Sequence, residues 1–272
     1  MKFIILGSSG QLGKAFTKLL PKESIFLDRA QADLCKFENL KLPIDVGDCV
    51  INCAGYTKVD DAEKEEDIAS RVNGDAVGSL AEQCAIVGAK FVHFSTDYVF
   101  DGSSETPYKT DDKRSPINAY GRSKLRGEEL LQSSGANYLL IRTSWVYAPW
   151  GNNFLQTMLR LLNTQDEISV VNDQFGRPTH VIGLAQRTLK LIDLKQTGTF
   201  HITDGGSCSW FEFAKDISHK VGSSCNIKPC STNEFPRQAL RPSYSVLDTS
   251  KTDEILGPNE HYKKWLDIRT AV

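Results

Sequence analysis

The chain has 272 residues, 40% of them apolar and 24% charged, with 20 glycines, 10 prolines and seven cysteines. Dividing the length by ~150 gives about two domains, and a chain of this size buries roughly three-quarters of its unfolded surface without covalent staples. The composition excludes collagen, low-complexity disorder and a disulfide scaffold, and the balance of 32 basic against 34 acidic side chains gives nucleic-acid binding no electrostatic footing.

Phe3-Ile4-Ile5-Leu6 reads as a buried strand, and Gly7 ends it. That apolar run is shorter than the core of a signal peptide, about 7–15 residues, and than a membrane span of about 20. No longer run follows, so a soluble, cytoplasmic protein without membrane contact is expected. A helix from Leu12 to Leu20 stops near Pro21, and Ser24–Asp28 is a second strand. Cys49–Ala54 is another strand, followed by an acidic segment from Asp60 to Asp67. Ile68–Val87 has helical periodicity and ends at Gly88, Lys90–Ser95 is again a strand, and Ala119–Leu131 is a helix closed by Ser133-Ser134-Gly135. Tyr138–Val146 is a strand, Val181–Leu194 a helix and Thr199–Ile202 a short strand returning to the same sheet. Continuous apolar strands alternating with helices imply a parallel sheet covered on both faces. Residues 147–180 and 205–272, with Pro149, Pro178, Pro229, Pro236, Pro242 and Pro258, read as a smaller, loop-rich cap. The cysteines (Cys35, Cys49, Cys53, Cys84, Cys208, Cys225 and Cys230) are odd in number and form no C-x-x-C pair, which reads as reduced thiols; no metal site is expected.

Gly7-Ser8-Ser9-Gly10-Gln11-Leu12-Gly13 leaves a strand and opens a helix. Glycines three apart let backbone approach a pyrophosphate, which the helix N-terminus then holds with unpaired N–H groups and its dipole. Asp28, 18 residues after Gly10, stands where an acid binds the adenine ribose, while Arg29 suits a 2′-phosphate. NADH and NADPH both remain open. The expected architecture is therefore α/β, a Rossmann-type doubly wound parallel sheet from residues 1–146 and 181–204. A substrate-binding cap, 147–180 and 205–272, is interleaved with it.

Tyr120 and Lys124, four apart, share one face of a helix. A carbonyl that receives hydride must also receive a proton. A phenol of pKa about 10 donates it near neutrality only after a shift of ~3 units, roughly 4 kcal/mol. A neighbouring ammonium and a cationic nicotinamide ring would supply this. Ser95-Thr96-Asp97-Tyr98 ends a strand at the edge where open α/β sheets bind ligands, so Thr96 would meet the reacting oxygen and Asp97 and Tyr98 the substrate.

In this order the motifs resemble the extended short-chain dehydrogenase/reductase superfamily, and within it the reductases of dTDP-4-keto-6-deoxy sugars. The resemblance is carried by GSSGQLG at 7–13, STDYVFDG at 95–102, YGRSKLRGE at 120–128, RTSWVY at 142–147, GNNF at 151–154, DQFGRPT at 173–179 and RPSYSVLDTSK at 241–251. NCAGYTKVDDAE at 52–63 matches more loosely. It implies NAD(P)H-dependent reduction of the C4 keto group of dTDP-4-dehydro-L-rhamnose, for surface polysaccharide. It also implies roles: Gly10, Gln11 and Leu12 at the pyrophosphate, Asp28 at the ribose, and Asp33 and Leu34 at the adenine. Ala54, Gly55 and Tyr56 would line the nicotinamide half, and Thr96, Tyr120 and Lys124 would be catalytic. Thr96, Asp97 and Trp145 would touch the sugar nucleotide, with Asn153, Gln174 and Arg241 nearby. Some members bridge a dimer through Mg²⁺ on a glutamate two residues after the last turn glycine; Ala15 stands there, so a monomer or weak homodimer without metal is expected. The dehydratases of the superfamily carry Thr-Asp-Glu at the strand end, where this chain has Thr96-Asp97-Tyr98. A non-catalytic relative, the regulatory subunit of methionine adenosyltransferase, has the fold without needing the Tyr–Lys pair.

Overall fold

A computed structural model describes residues 1–266; the last six residues of the expected cap lie outside the described residues. In chain order the elements are β1 (Phe3–Leu6), α1 (Gln11–Leu19), β2 (Ile25–Leu27), β3 (Cys49–Asn52), α2 (Glu66–Ser70), α3 (Ala76–Val87), β4 (Lys90–Thr96), α4 (Ala119–Ser133) and β5 (Asn137–Thr143). There follow β6 (Val146–Tyr147), α5 (Phe154–Thr164), β7 (Glu167–Val171), β8 (Phe175–Gly176), β9 (Thr179–His180), α6 (Val181–Asp193), β10 (Gly198–His201), β11 (Cys208–Ser209), α7 (Trp210–Val221), β12 (Asn226–Cys230) and α8 (Ser250–Leu256).

Six strands form one parallel sheet in the order β10-β5-β4-β3-β1-β2. The period-2 alternation of side chains sorts each strand between two cores. Ile5 and Ile51 face one way, with Phe16 of α1 and Val181 and Leu184 of α6. Ile4, Leu6 and Val50 face the other, with Val77, Leu80 and Cys84 of α3. Burial on both faces is why these strands read as unbroken apolar runs. The order reverses between β1 and β3, so their C-terminal ends flank a crevice. Residues 28–48 carry a 3₁₀ turn (Leu34–Asn39) and no strand, leaving β2 at the edge.

The helix expected over Ile68–Val87 starts slightly earlier, at Glu66, and contains a π turn, Arg71–Asp75. Gly88 closes it at φ +78°. The strand expected over Tyr138–Val146 is two: β5 stops at Thr143, and Trp145 at φ +47° turns the chain into β6, which leaves the sheet to pair with β9.

The expected loop-rich cap is more regular than its prolines suggest. Leu155, Met158 and Leu162 form a helical stripe on α5 that packs with Phe213, Ala214 and Ile217 of α7 in a separate core. Beneath them β7 and β12 pair in parallel. Pro229 fits in β12 because that strand pairs, among the described residues, with β7 alone, and an edge strand tolerates a missing donor. The 244–256 stretch returns to the sheet: Tyr108 bridges to Leu247, and Thr252 of α8 donates to the carbonyl of His201 in β10 at 2.6 Å.

Candidate active site

The crevice at the ends of β1 and β3 is a cleft of 540 Å³ lined by Gly7, Gly10, Arg29, Asp33, Leu34, Ala54, Gly55 and Tyr56. Gly7 sits at φ +72°, where an added Cβ would lie 2.7 Å from the Ala54 nitrogen. Gly10 caps α1 without a side-chain bond, and no acidic residue occupies the first turn. The first helical N–H groups thus face the cleft end with positive potential. This bare backbone cradle fits a dinucleotide pyrophosphate.

Several expected cofactor contacts have other duties. Gly13 serves packing: a Cβ there would stand 2.2 Å from the Gly7 carbonyl oxygen, so only glycine lets α1 meet the turn. Leu12 packs into the core beside α6. The Gln11 side chain turns away, donating to the Asn152 carbonyl at 3.2 Å and accepting from Asn153 Nδ2 at 2.8 Å. Asp28 accepts from the backbone N–H groups of Ala30 and Gln31 with one carboxylate oxygen, folding its own turn. Arg29, largely exposed, lines the cleft with Asp33 3.7 Å away. Asp33 also accepts from the Cys35 N–H, starting the 3₁₀ turn that brings buried Leu34 to the cleft wall.

The expected catalytic residues meet where β4 ends. Thr96 is buried; its hydroxyl donates to Asp97 Oδ1 at 3.0 Å and accepts from the Tyr98 N–H at 3.1 Å. Asn118 caps α4 by accepting from the Gly121 N–H at 2.7 Å, which fixes the start of the helix that carries Tyr120 and Lys124. The Tyr120 ring meets Tyr98 edge to face, centroids 6.1 Å apart. Lys124 is buried, its Nζ donating to the Phe94 carbonyl at 2.6 Å and lying 3.5 Å from His93 Nε2. α4 can seat this deeply because a Cβ on Gly127 would lie 2.0 Å from the Asn73 carbonyl oxygen. Asn73 lies in the π turn and ties three segments together: Nδ2 donates to Tyr56 O and Ser123 Oγ, and Oδ1 accepts from the Tyr56 N–H.

Burial dominates the electrostatics. It pushes Lys124 down to about 8, against the pull of Glu128. It raises Asp97 to about 6, opposed by hydrogen bonds from Ser245 and Thr96. It also raises Tyr120 to about 12, helped by Asp97 and opposed by Thr96. The expected lowering of the phenol is therefore not produced by the neighbouring lysine alone. Acidifying the phenol needs further positive charge, and charge developing on a cofactor held in the adjoining cleft would act in that direction.

The expected substrate residues divide. Trp145 stands just beyond β5 on a left-handed backbone, stacked on Trp210 with centroids 3.4 Å apart. Arg241 holds Asp60 in a fork, Nη1 and Nη2 donating at 2.5 and 2.9 Å, and its charge also acts on Tyr98. Gln174 donates to Thr232 within the cap at 3.0 Å. Asn153 is bonded within the protein: Oδ1 caps α5 at Gln156, and Nδ2 bonds Gln11 and the carbonyls of Ala148 and Trp150. It is a strut between the cap and the phosphate turn. Sequence reading missed Asn52, Asp60, Asn73, His93 and Trp210. The available signal for Asn52 and His93 was a polar residue inside an otherwise apolar strand run.

A parallel sheet with a glycine-lined dinucleotide cleft, and a Tyr-x-x-x-Lys helix facing a strand-end threonine, define an NAD(P)(H)-dependent oxidoreductase of the extended short-chain dehydrogenase/reductase type. The chain belongs to the family described as RmlD substrate binding domain, whose model matches residues 1–268. It is 38% identical to a dTDP-4-dehydrorhamnose reductase of Burkholderia thailandensis, with 99% of this chain and 98% of the relative covered. The structure is similar to a dTDP-4-dehydrorhamnose reductase from Clostridium acetobutylicum at TM-score 0.92 and 41% identity, covering 98% of this chain and 97% of that one. It is also similar to a dTDP-4-dehydrorhamnose reductase from Bacillus anthracis in complex with NADP, at TM-score 0.90 and 38% identity over 98% of both chains.

Proposed function

We propose that the chain reduces the C4 keto group of dTDP-4-dehydro-L-rhamnose to give dTDP-L-rhamnose, using NADPH or NADH. The observation that carries this reading is the convergence of the Thr96 hydroxyl, Tyr120 and the buried Lys124 at the end of β4, next to the glycine-lined cleft. When bound, the reduced nicotinamide supplies hydride to C4. Tyr120 delivers the proton to the ketone oxygen, Thr96 orients that oxygen, and Lys124 supplies the charge that makes Tyr120 acidic enough to donate.

Gly7, Gly10, Ala54, Gly55 and Tyr56 hold the pyrophosphate and nicotinamide half, and Asp33 and Leu34 the adenine. Asp28 is committed to its own turn on one oxygen, while Arg29, largely exposed and only loosely paired with Asp33 at 3.7 Å, lines the cleft; this favours NADPH, with Arg29 on the 2′-phosphate. Asp97, Tyr98, Trp145 and Arg241 hold the sugar nucleotide. Residues 147–180 and 205–243 act as the substrate lobe. The seven cysteines are free thiols and no described helix is long and apolar enough to cross a membrane, in keeping with a cytoplasmic enzyme. Ala15 lies in the core and offers no ligand atom, so we read it as a monomer or weak homodimer that needs no bridging metal.

The test is turnover of a panel of dTDP-4-keto-6-deoxy sugars with NADPH and NADH, with products identified by NMR. Tyr120→Phe is expected to bind NADPH normally, by fluorescence, and to lose at least a hundredfold in kcat. Near-normal reduction by that variant would refute the assignment.

A further inference from the structure

We propose that Asn52 and His93 form a fixed relay behind Lys124: Asn52 locks the imidazole proton on Nε2, and that N–H holds the amine left when Lys124 passes a proton to Tyr120. The proposal rests on the roles given above to Tyr120 and Lys124. Its starting point is the carboxamide of Asn52, fully buried on β3. Oδ1 accepts from the Ala54 N–H at 3.0 Å, and the other end of the amide lies 3.2 Å from His93 Nδ1. Reversing the amide would set two donors against each other at Ala54, so Nδ2 is the atom that faces His93. An amide N–H needs an acceptor, and Nδ1 therefore carries the lone pair. The proton of the neutral ring sits on Nε2, 3.5 Å from Lys124 Nζ. His93 is buried and neutral, its affinity for a second proton held well below the ordinary value by burial and by Lys124.

An ammonium has no lone pair for that N–H to bond, whereas an amine has one. The proton balance follows. Tyr120 gives its proton to the ketone oxygen as C4 receives hydride. Lys124 then gives a proton to the Tyr120 phenolate, and the resulting amine accepts from His93 Nε2–H while still donating to Phe94 O. Water returns the proton to Lys124. The titratable and charged groups that act on Lys124 are His93 on β4 and Glu128 on α4; Asp97, just beyond β4, acts on Tyr120. From the other side Gly55 and Asn73 are neutral. Of these, His93 and Asn52 are the positioning residues sequence reading passed over.

The test is Asn52→Asp. One carboxylate oxygen keeps the Ala54 bond; the other accepts from Nδ1–H, so the tautomer reverses and the Nε2 lone pair holds the Lys124 ammonium. In ¹⁵N NMR of histidine-labelled protein, with the His93 signal assigned by its loss in His93→Gln, the wild type should show Nε2–H and the variant Nδ1–H. The alkaline limb of kcat for ketone reduction should move up by about one pH unit, with KM changed less than threefold. Asn52→Ser, which removes the fixed donor without adding charge, should move the limb the same way by less. Nδ1–H in the wild type, or a reversed tautomer with an unmoved limb, overturns the proposal. Lys124→Met separates the two readings: normal turnover there would sink the assigned site, whichever tautomer His93 shows.

Discussion

Replacing Glu128 by Gln is expected to cost more stability than any conservative polar change elsewhere in the sheet domain. Glu128 lies on α4 with no exposed surface, and Arg142 on β5 is 1% exposed. Arg142 Nε and Nη2 donate to the two carboxylate oxygens at 2.9 and 2.8 Å, its Nη1 donates to Thr110 O at 2.9 Å, and Arg114 adds a second cation at 3.0 Å. Glutamine keeps the shape but removes the charge and turns an amide donor toward an arginine donor. Removing one partner of such a buried pair costs about 3–5 kcal/mol, because the other charge stays buried and uncompensated. For a chain of this size 1 kcal/mol shifts Tm by roughly 2–4 °C, so Tm should fall by roughly 6–20 °C. The pH dependence has a definite sign. The arginines hold Glu128 below its ordinary value of 4.5, against the effect of burial. Its contribution is therefore fully present above the unfolded value and lost as pH falls through the folded one. The Tm gap between wild type and Glu128→Gln, read by calorimetry, should narrow below about pH 4.5. Glu128→Met with Arg142→Met should recover most of the loss, since apolar replacement of a whole buried pair is close to neutral. A single-variant drop under about 2 °C, or a gap that widens in acid, would refute the reasoning.

Gly13→Ala puts a methyl 2.2 Å from a backbone oxygen, so it should yield insoluble protein or lose at least about 3 kcal/mol in urea unfolding; wild-type stability would show that α1 can shift. Arg29→Ser should raise the Kd of NADPH about tenfold or more while leaving that of NADH within twofold, by fluorescence titration; equal weakening of both would remove Arg29 from the 2′-phosphate. Phe213→Ala, in the cap core and fully buried, should cost about 3–5 kcal/mol and raise KM for the sugar nucleotide while NADPH binding survives.

The sheet was legible because burial on both faces writes continuous apolar runs, and the phosphate turn because Gly7 to Gly13 sits between a strand and a helix. Thr96, Tyr120 and Lys124 were legible through their spacing and order. What was lost depended on conformation or on distant partners. The run Tyr138–Val146 conceals the reversal at Trp145, since no local rule marks a tryptophan for the left-handed region. The cap's prolines hid two helices whose partners lie about 50 residues apart in the chain, as Leu162 and Phe213 do. Asp60 meets Arg241 across 181 positions, and sequence pattern carries no record of such a pair. Gln11 and Asn153 came from the family resemblance and Asp28 from its spacing after Gly10; that Gln11 and Asn153 also tie the cap to the phosphate turn and that Asp28 folds its own turn depends on three-dimensional partners that neither signal records.

The interleaving of the two lobes has a consequence for how such a protein is made and how it diversifies. β7 and β12 pair in parallel from opposite sides of an insertion that contains α6 and the sheet strand β10. The second half of the cap core therefore leaves the ribosome only after the sheet's last strand, and the long-range pairing is intrinsically slow to close. No single crossover in the gene transfers the second lobe intact, because its two halves lie on either side of α6 and β10.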